Sequence, residues 1–379
     1  MMRVGLIIYG SLDTVTGGYL YDRMLVENLR QRGCIVEVIS LPQRSYYRCL
    51  TDNISPLLLR QVQRVSLDIL LQDELNHPSL LFINHLIRHV TRAPIVSLVH
   101  HLRCSEPHLP GMNALYRWAE RTYLQTVDAC IVNSITTQKH VESVSGVSLP
   151  SLVAQPGGDH CQPLLSQMQI APRRYYDDRI EILFVGNLIP RKGLHTLIDS
   201  LALLSGHDCF LTVAGNDQVD RAYADRIRHA IAQKGLSHRV RILGAVCGTS
   251  LAVCMQRSHI LAVPSFYEGF GIIYLEALAF GLPVIATTAG AAQEIIRHGR
   301  EGLLIEPGDS RTLAEYLAEL INDRTKLCTM SLRALDRFRS YPSWAESMGR
   351  AVTFLQEIAD KNNRMNVAGP RLWGSDRDQ

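Results

Sequence analysis

Residues 259–294, HILAVPSFYEGFGIIYLEALAFGLPVIATTAGAAQE, decide the fold class, because this one run holds strand, turn, helix, strand and a second small-residue loop. Residues 260–263 are a short apolar run stopped by Pro264, which suits a buried parallel strand. The chain then turns through Tyr267, Glu268, Gly269, Phe270 and Gly271. Two glycines there permit backbone shapes closed to other residues and let a ligand approach the main chain. Ile272, Leu275, Leu278 and Ala279 recur at helical spacing, Gly281 ends the helix and Pro283 opens the next strand. A Gly-rich turn feeding a helix start points free N–H groups at an anion, which is how α/β folds hold phosphate. The run reads as half of a nucleotide-binding α/β domain.

This geometry separates two carboxylates. Glu268 lies in the turn and faces what lies beyond a phosphate, whereas Glu276 is more than one turn inside the helix, on the nucleoside side. A carboxylate placed there can accept two hydrogen bonds from vicinal ribose hydroxyls. Two glutamates at such a spacing also occur as ordinary solvated acids; the frame around this pair favours a ligand. The run from Glu268 to Glu276, with the following ALAFGLPVIA, resembles the E-x7-E signature of the retaining, GT-B-fold glycosyltransferases of family 4, the "glycosyl transferases group 1" type.

Composition sets the outer bounds. A chain of 379 residues is long for one core and divides most naturally into two domains. A net charge of +3 is too slight for a nucleic-acid footprint, which needs a concentrated basic face. The nine cysteines are scattered and form no C-x-x-C pair, so neither a disulfide framework nor a zinc site is expected, and a reducing, cytoplasmic setting fits. No apolar run reaches spanning length, and the start, MMRVGLIIYG, lacks a signal-peptide cleavage region.

The first half opens as a βαβ unit. Residues 3–9 read as a strand, 10–18 as a loop, and Leu20, Met24, Leu25 and Leu29 mark a helix stopped by Gly33 before a strand at 35–39. The loop is not G-x-G-x-x-G, which removes the main support for a dehydrogenase. Between 44 and 72 the pattern predicts a helix with Leu58, Val62, Val65 and Ile69 on one side. Arg44, Tyr46, Tyr47, Arg48, Arg60 and Arg64 lie around it, a stripe that suits core packing, or a basic, aromatic edge resting on an anionic membrane. Residues 79–84 and 94–100 are read as further strands, the second ending in His100 and His101 at the sheet edge where α/β folds bind ligands. A helix near 112–126, a strand at 128–133 and a helix at 134–144, capped by Asn133-Ser134, continue the alternation.

The second half repeats it. A polar span at 161–179 reads as the linker. Strand 181–188, loop 189–193 and helix 195–204 follow, with Lys192 on the sheet edge that also carries Glu268. Two cations there, Arg191 and Lys192, suit a leaving diphosphate. Strands at 210–214 and 240–243, helices near 223–234, 310–323 and 326–338, and a final helix at 343–359 complete the chain, and the tail beyond Lys361 is expected to be disordered.

The resemblance extends over nearly the whole chain. It implies two Rossmann-like domains facing each other across a cleft: an acceptor domain at 1–165 completed by the helix at about 343–360, and a nucleotide-sugar domain at 178–340, with 361–379 as tail. Gly17-Gly18 resembles the family's Gly-Gly loop, which approaches the donor diphosphate. His100 matches the histidine that contacts the donor sugar, and Gln155-Pro-Gly-Gly-Asp159 resembles the P-N-G-V-D loop with Gly for Asn. The segment ending Lys192-Gly193 resembles G-R-x(4 or 5)-K-G, but Asn187 stands where the family has Arg, so Arg191 supplies the charge from elsewhere or the site has one cation fewer. Glu294 braces the site rather than reacting.

The implied activity is retaining transfer of a hexose-type sugar from a nucleotide-diphosphate sugar to a lipid, glycan or small-molecule acceptor. His100, Lys192 and Glu268 are the catalytic candidates. Gly17, Gly18, Arg191, Lys192, Gly269, Phe270, Gly271, Ile272 and Glu276 are the donor-binding ones. No D-x-D motif lies on a suitable loop, so no metal and no cofactor is expected. The expected partners are the donor, an unidentified acceptor and an anionic membrane on its inner face, with no nucleic acid. A phosphorylase or sucrose-synthase-like enzyme, a nucleotide-sugar epimerase and a non-catalytic sugar-nucleotide binder share enough of the frame to stand as rivals.

Overall fold

The computed structural model describes residues 1–160 and 179–367. Nearly all of the expected linker, and residues 368–379 of the expected tail, lie outside the described residues.

The first sheet is wholly parallel, with strands β1 (Arg3–Tyr9), β2 (Ile35–Leu41), β3 (Ile69–Asp73), β4 (Ile95–Val99), β5 (Ala129–Val132) and β6 (Ser151–Val153) in the order β2-β1-β3-β4-β5-β6. Its helices are α1 (Gly17–Gln31), α2 (Pro56–Gln63), α3 (Ile83–Val90), α4 (Pro110–Leu124) and α5 (Ile135–Ser145), with shorter turns between. The second sheet, also parallel, holds β7 (Ile180–Val185), β8 (Cys209–Ala214), β9 (Val240–Gly244), β10 (Ile260–Ala262), β11 (Val284–Thr287) and β12 (Gly302–Ile305), ordered β12-β11-β10-β7-β8-β9. Helices α6 (Leu194–Leu203), α7 (Arg221–Gln233), α8 (Gly248–Arg257), α9 (Ile272–Ala279), α10 (Ser310–Asn322) and α11 (Arg324–Arg339) cover it, and α12 (Trp344–Val367) ends the described chain.

Both orders are doubly wound, and each reverses once. In such sheets the strand order opens a crevice at the carboxyl ends of the strands that flank the reversal. Those strands are β1 and β3 in the first sheet and β7 and β10 in the second. The apolar faces are buried in separate cores: one large cluster around β7, β10 and α9, and two on the opposite faces of the first sheet. Trp344, Met348, Ala351, Val352 and Leu355 of α12 belong to the first sheet's core, beside Leu25 and Leu29 of α1, so the C-terminal helix returns to the first half.

Several expectations need correction. Residues 79–84 are not a strand: His77–Leu80 is a helical turn and α3 starts at Ile83, the run being largely apolar because all of it but Phe82 is buried. The strand sits earlier, at β3, which takes Ile69 away from the helix assigned to it; α2 ends at Gln63 with only Leu58 and Val62 buried. Polar Gln72 and Asp73 disguise β3, although both are fully buried. Gln72 exchanges amide hydrogen bonds with Asn84 at 2.8 and 3.1 Å, and that pairing satisfies it. The final helix runs past Lys361 to Val367, so 361–367 are helical. Among the described residues no helix is long and apolar enough to cross a membrane.

Candidate active site

The second sheet's crevice is built by the loops after β7 and β10. Gly193 brings them together: its φ is +70°, and a Cβ there would meet the Pro264 carbonyl oxygen at 2.0 Å, so the two loops touch through backbone. Lys192 is thereby laid against Glu268. Its ammonium pairs with Glu268 Oε1, which also accepts the Ser265 hydroxyl at 2.8 Å. Burial pulls the Lys192 ammonium below its ordinary range, opposed by the Glu268 charge. Burial alone would raise Glu268, but the charges of Lys192 and Arg191, with hydrogen bonds from Lys192 and Ser265, hold its carboxyl low. The pair is therefore ionised, and an ammonium with three donors has hydrogens to spare beyond the one on Glu268.

Arg191 stands at the same corner with part of its guanidinium already engaged. Its Nη1 donates to the Tyr267 carbonyl at 2.8 Å and lies 3.9 Å from Glu268, while Nε faces Glu106 of the first half at 3.0 Å. Burial opposes the Glu106 charge; the His101 hydrogen bond at 2.9 Å and the Arg191 charge overcome it and bring that carboxyl down to about 2. Glu106, which sequence reasoning missed, is thus an acid of the first half that holds a cation of the second.

After Glu268 the backbone of Gly269 passes so close to the first half that a Cβ would lie 2.1 Å from the His100 carbonyl oxygen. Gly269 carbonyl accepts from Ser134 and Thr137 hydroxyls at 2.8 and 3.3 Å. Phe270 is buried, and Gly271 takes a left-handed φ of +91° as the N-cap of α9. The amides of Phe270, Gly271 and Ile272 find no backbone carbonyl partner among the described residues, as the first N–H groups of a helix do. Glu276 is on α9, 6% exposed, with Oε1 2.6 Å from His160 Nε2.

Across the junction, His100 follows β4 and lies beneath the loop after β1; a Cβ on Gly18 would meet its ring at 3.2 Å, and one on Gly17 would meet Ile272 at 3.6 Å. His100 Nε2 is 3.1 Å from Asp22 Oδ1. Burial disfavours its charge, but the Asp22 charge and hydrogen bond, with Asp73 and Glu74 behind, raise it to about 9, so it is an imidazolium that donates to Asp22. Asp73, at the end of β3, is pushed up to about 7 by burial and by Asp22. Asp22 could have been suspected from sequence: it occupies the buried stripe of α1 with Tyr19, Val26 and Leu29, where an unpaired acid is costly. Asp73, Glu74 and Glu106 left no such signal.

Glu294 does brace the junction. Its carboxylate accepts the Ile135 and Thr136 amides at 3.0 and 2.7 Å, capping α5 from the opposite half, while Arg337 and Tyr341 hold its carbonyl, each at 2.7 Å. Among the described residues two buried sets could be weighed as metal ligands, Asp22-Asp73-His100 and Glu74-His77-Glu120. In the first, His100 Nε2 serves Asp22; in the second, the His77 nitrogens face the Glu74 carbonyl at 3.0 Å and the Tyr46 hydroxyl at 2.9 Å. Neither set fits a cation well.

The structure thus brings Lys192, Arg191, Glu268, the 269–272 backbone, His100 and Gly17-Gly18 to one junction, with Glu276 farther along α9. Comparison with known proteins finds relatives in sequence and in fold. Residues 168–334 match the family described as Glycosyl transferases group 1. The phosphatidyl-myo-inositol mannosyltransferase of Mycobacterium leprae is 27% identical over 399 residues, covering 97% of this chain and 100% of the relative. Other curated glycosyltransferases align over less, the chain spanning 64% and 44% of the lengths of two of them. Among solved structures, sucrose-phosphate synthase from Thermosynechococcus elongatus superposes with a TM-score of 0.82 at 19% identity, covering 95% of this chain and 100% of that one. HepE of Anabaena, solved with UDP-glucose, gives 0.75 at 21% identity, covering 96% and 100%.

Proposed function

We propose that this chain, whose residues 168–334 match the Glycosyl transferases group 1 family and whose two sheets match GT-B structures, moves a hexose-type sugar, with retention and without a metal, from a nucleotide-diphosphate sugar to a lipid, glycan or small-molecule acceptor. The observation that carries this reading is the meeting of Lys192, Glu268 and the start of α9 at the second sheet's reversal, opposite His100. Negative charge builds on the leaving β-phosphate as the anomeric bond opens. Lys192, Arg191 and the amides of Phe270, Gly271 and Ile272 are the donors that stabilise it. Glu276 takes the ribose hydroxyls. Glu268, neutralised by Lys192, holds sugar hydroxyls rather than attacking carbon, and the departing phosphate takes the acceptor proton on the same face. His100, held by Asp22, lines the sugar from the first half, where the acceptor docks.

That HepE was solved with UDP-glucose supports a nucleotide-sugar donor here. The test is thermal stabilisation by a panel of UDP-, GDP- and ADP-sugars, followed by assignment of the product anomer by NMR. One donor is expected to raise the melting point and give a product of unchanged anomeric configuration. An inverted product, or stabilisation by none, contradicts the proposal.

The acceptor half also meets an anionic membrane in this reading. Tyr47, Ile54 and Leu57 are 56, 83 and 64% exposed beside exposed Arg48, Arg60 and Arg64, an apolar edge ringed by positive charge. Co-flotation with anionic but not neutral liposomes is expected; flotation with neither removes the membrane from the account.

A further inference from the structure

The chain passes between its halves twice, after β6 and again just before Trp344, and the two crossings touch. A Cβ on Gly157 would meet the Trp344 nitrogen at 2.4 Å, and one on Gly158 would meet Leu275 at 2.8 Å. The outgoing crossing therefore lies against both the start of α12 and the residue of α9 that precedes Glu276. Asp159 Oδ1 accepts the Trp344 backbone N–H at 2.8 Å. The next residue completes a relay. Trp344 Nε1–H donates to His160 Nδ1 at 3.1 Å, the rings meeting edge to face at 6.1 Å. An indole N–H can only donate, so Nδ1 is the bare nitrogen and the ring hydrogen sits on Nε2. That atom is 2.6 Å from Glu276 Oε1. That contact holds Oε1 from the His160 side, and among the described residues Oε2 accepts from no other group and is left to a ligand.

We propose that His160 is a positioning residue for the donor nucleotide: its tautomer, fixed by Trp344, aims the Glu276 carboxylate so that its unoccupied lone pairs receive a vicinal diol. This rests on the reading of Glu276 as the ribose-binding carboxylate. His160 acts through Glu276 and touches neither phosphate nor sugar. Its contribution is to ground-state binding, so it shows in affinity rather than turnover.

The test is calorimetric binding of UDP, GDP and ADP to the full chain, with donor KM and kcat for the nucleotide sugar the wild type uses. His160→Ala is expected to raise the nucleotide Kd and the donor KM about tenfold with kcat within about threefold, the effect of freeing the Glu276 carboxylate from its one neighbouring ring N–H. His160→Gln, whose amide can accept from Trp344 and donate to Glu276, is expected to restore both to within about threefold of wild type. Wild-type affinity in His160→Ala overturns the inference, as does a His160→Gln variant no better than His160→Ala. Glu276→Ala separates the two levels. If it binds nucleotide like the wild type, or if the wild type binds none of the three, the reading of Glu276 fails and the inference with it. If Glu276→Ala weakens binding while His160→Ala does not, only the inference fails.

Discussion

The two crevices are built on the same plan and charged in opposite ways. At the carboxyl edge of the second sheet every ion named has a counter-ion: Lys192 with Glu268, Arg191 with Glu106. At the edge of the first sheet acids are crowded together, and Asp22 Oδ2, Asp73 Oδ2 and Glu74 Oε2 are buried without a hydrogen-bond partner among the described residues. One half is preorganised around a cation for an anionic ligand. The other stores unsatisfied acceptors, which suits a ligand that brings hydroxyl donors, and it tolerates this through the charge on His100 and an Asp73 carboxyl that releases its proton only as the pH passes about 7.

The largest effect that could break this contrast is on the cationic side. Lys192→Ala is expected to lower kcat/KM for donor about 10²- to 10³-fold, the scale of losing one donor to developing negative charge. Arg191 and Ser265 remain near Glu268, so the variant still folds, with a lower melting point, which circular dichroism checks. Activity near wild type would remove the cation from the account.

On the acidic side the signature is a pH dependence. Asp73 is raised in the folded state, so the folded protein binds a proton the unfolded chain has released, and stability falls as pH rises from the ordinary carboxylate range through about 7. Asp73→Asn removes the charge while its side-chain oxygen can still accept the Leu75 amide, now at 3.0 Å. Its melting point is expected to exceed wild type by several degrees at pH 8, with the gain vanishing toward pH 4. A gain independent of pH would contradict the buried charge. A smaller effect sharpens the border between the halves: Glu294→Ala frees the Ile135 and Thr136 amides while Ser134 still caps α5 at the Thr137 amide, and is expected to destabilise by about 1 kcal/mol, a melting-point drop of a few degrees.

The same contrast governs what could be read in advance. The cationic crevice is spelled in contiguous residues, 186–193 and 268–276, where turn glycines and helix spacing carry local meaning. Its frame, its strands and the helix after Gly271 follow from those residues alone. The first half is assembled from residues far apart, so its chemistry was partly hidden. Gln72 looks like a surface residue until Asn84 folds against it, and that concealed β3. Glu106 looks like a loop acid until Arg191 arrives from 85 positions later in the chain. His160 reads as the edge of a linker, and its partners Trp344 and Glu276 lie far along the chain.

The central claim is that Lys192 serves the diphosphate of a nucleotide donor. Calorimetric comparison of a nucleoside with its diphosphate, on wild type and on Lys192→Ala, tests it most directly. For the base the wild type prefers, the diphosphate is expected to bind about 10²-fold tighter than the nucleoside, and Lys192→Ala is expected to erase most of that advantage while leaving nucleoside affinity alone. An advantage that survives undiminished in Lys192→Ala would contradict the account.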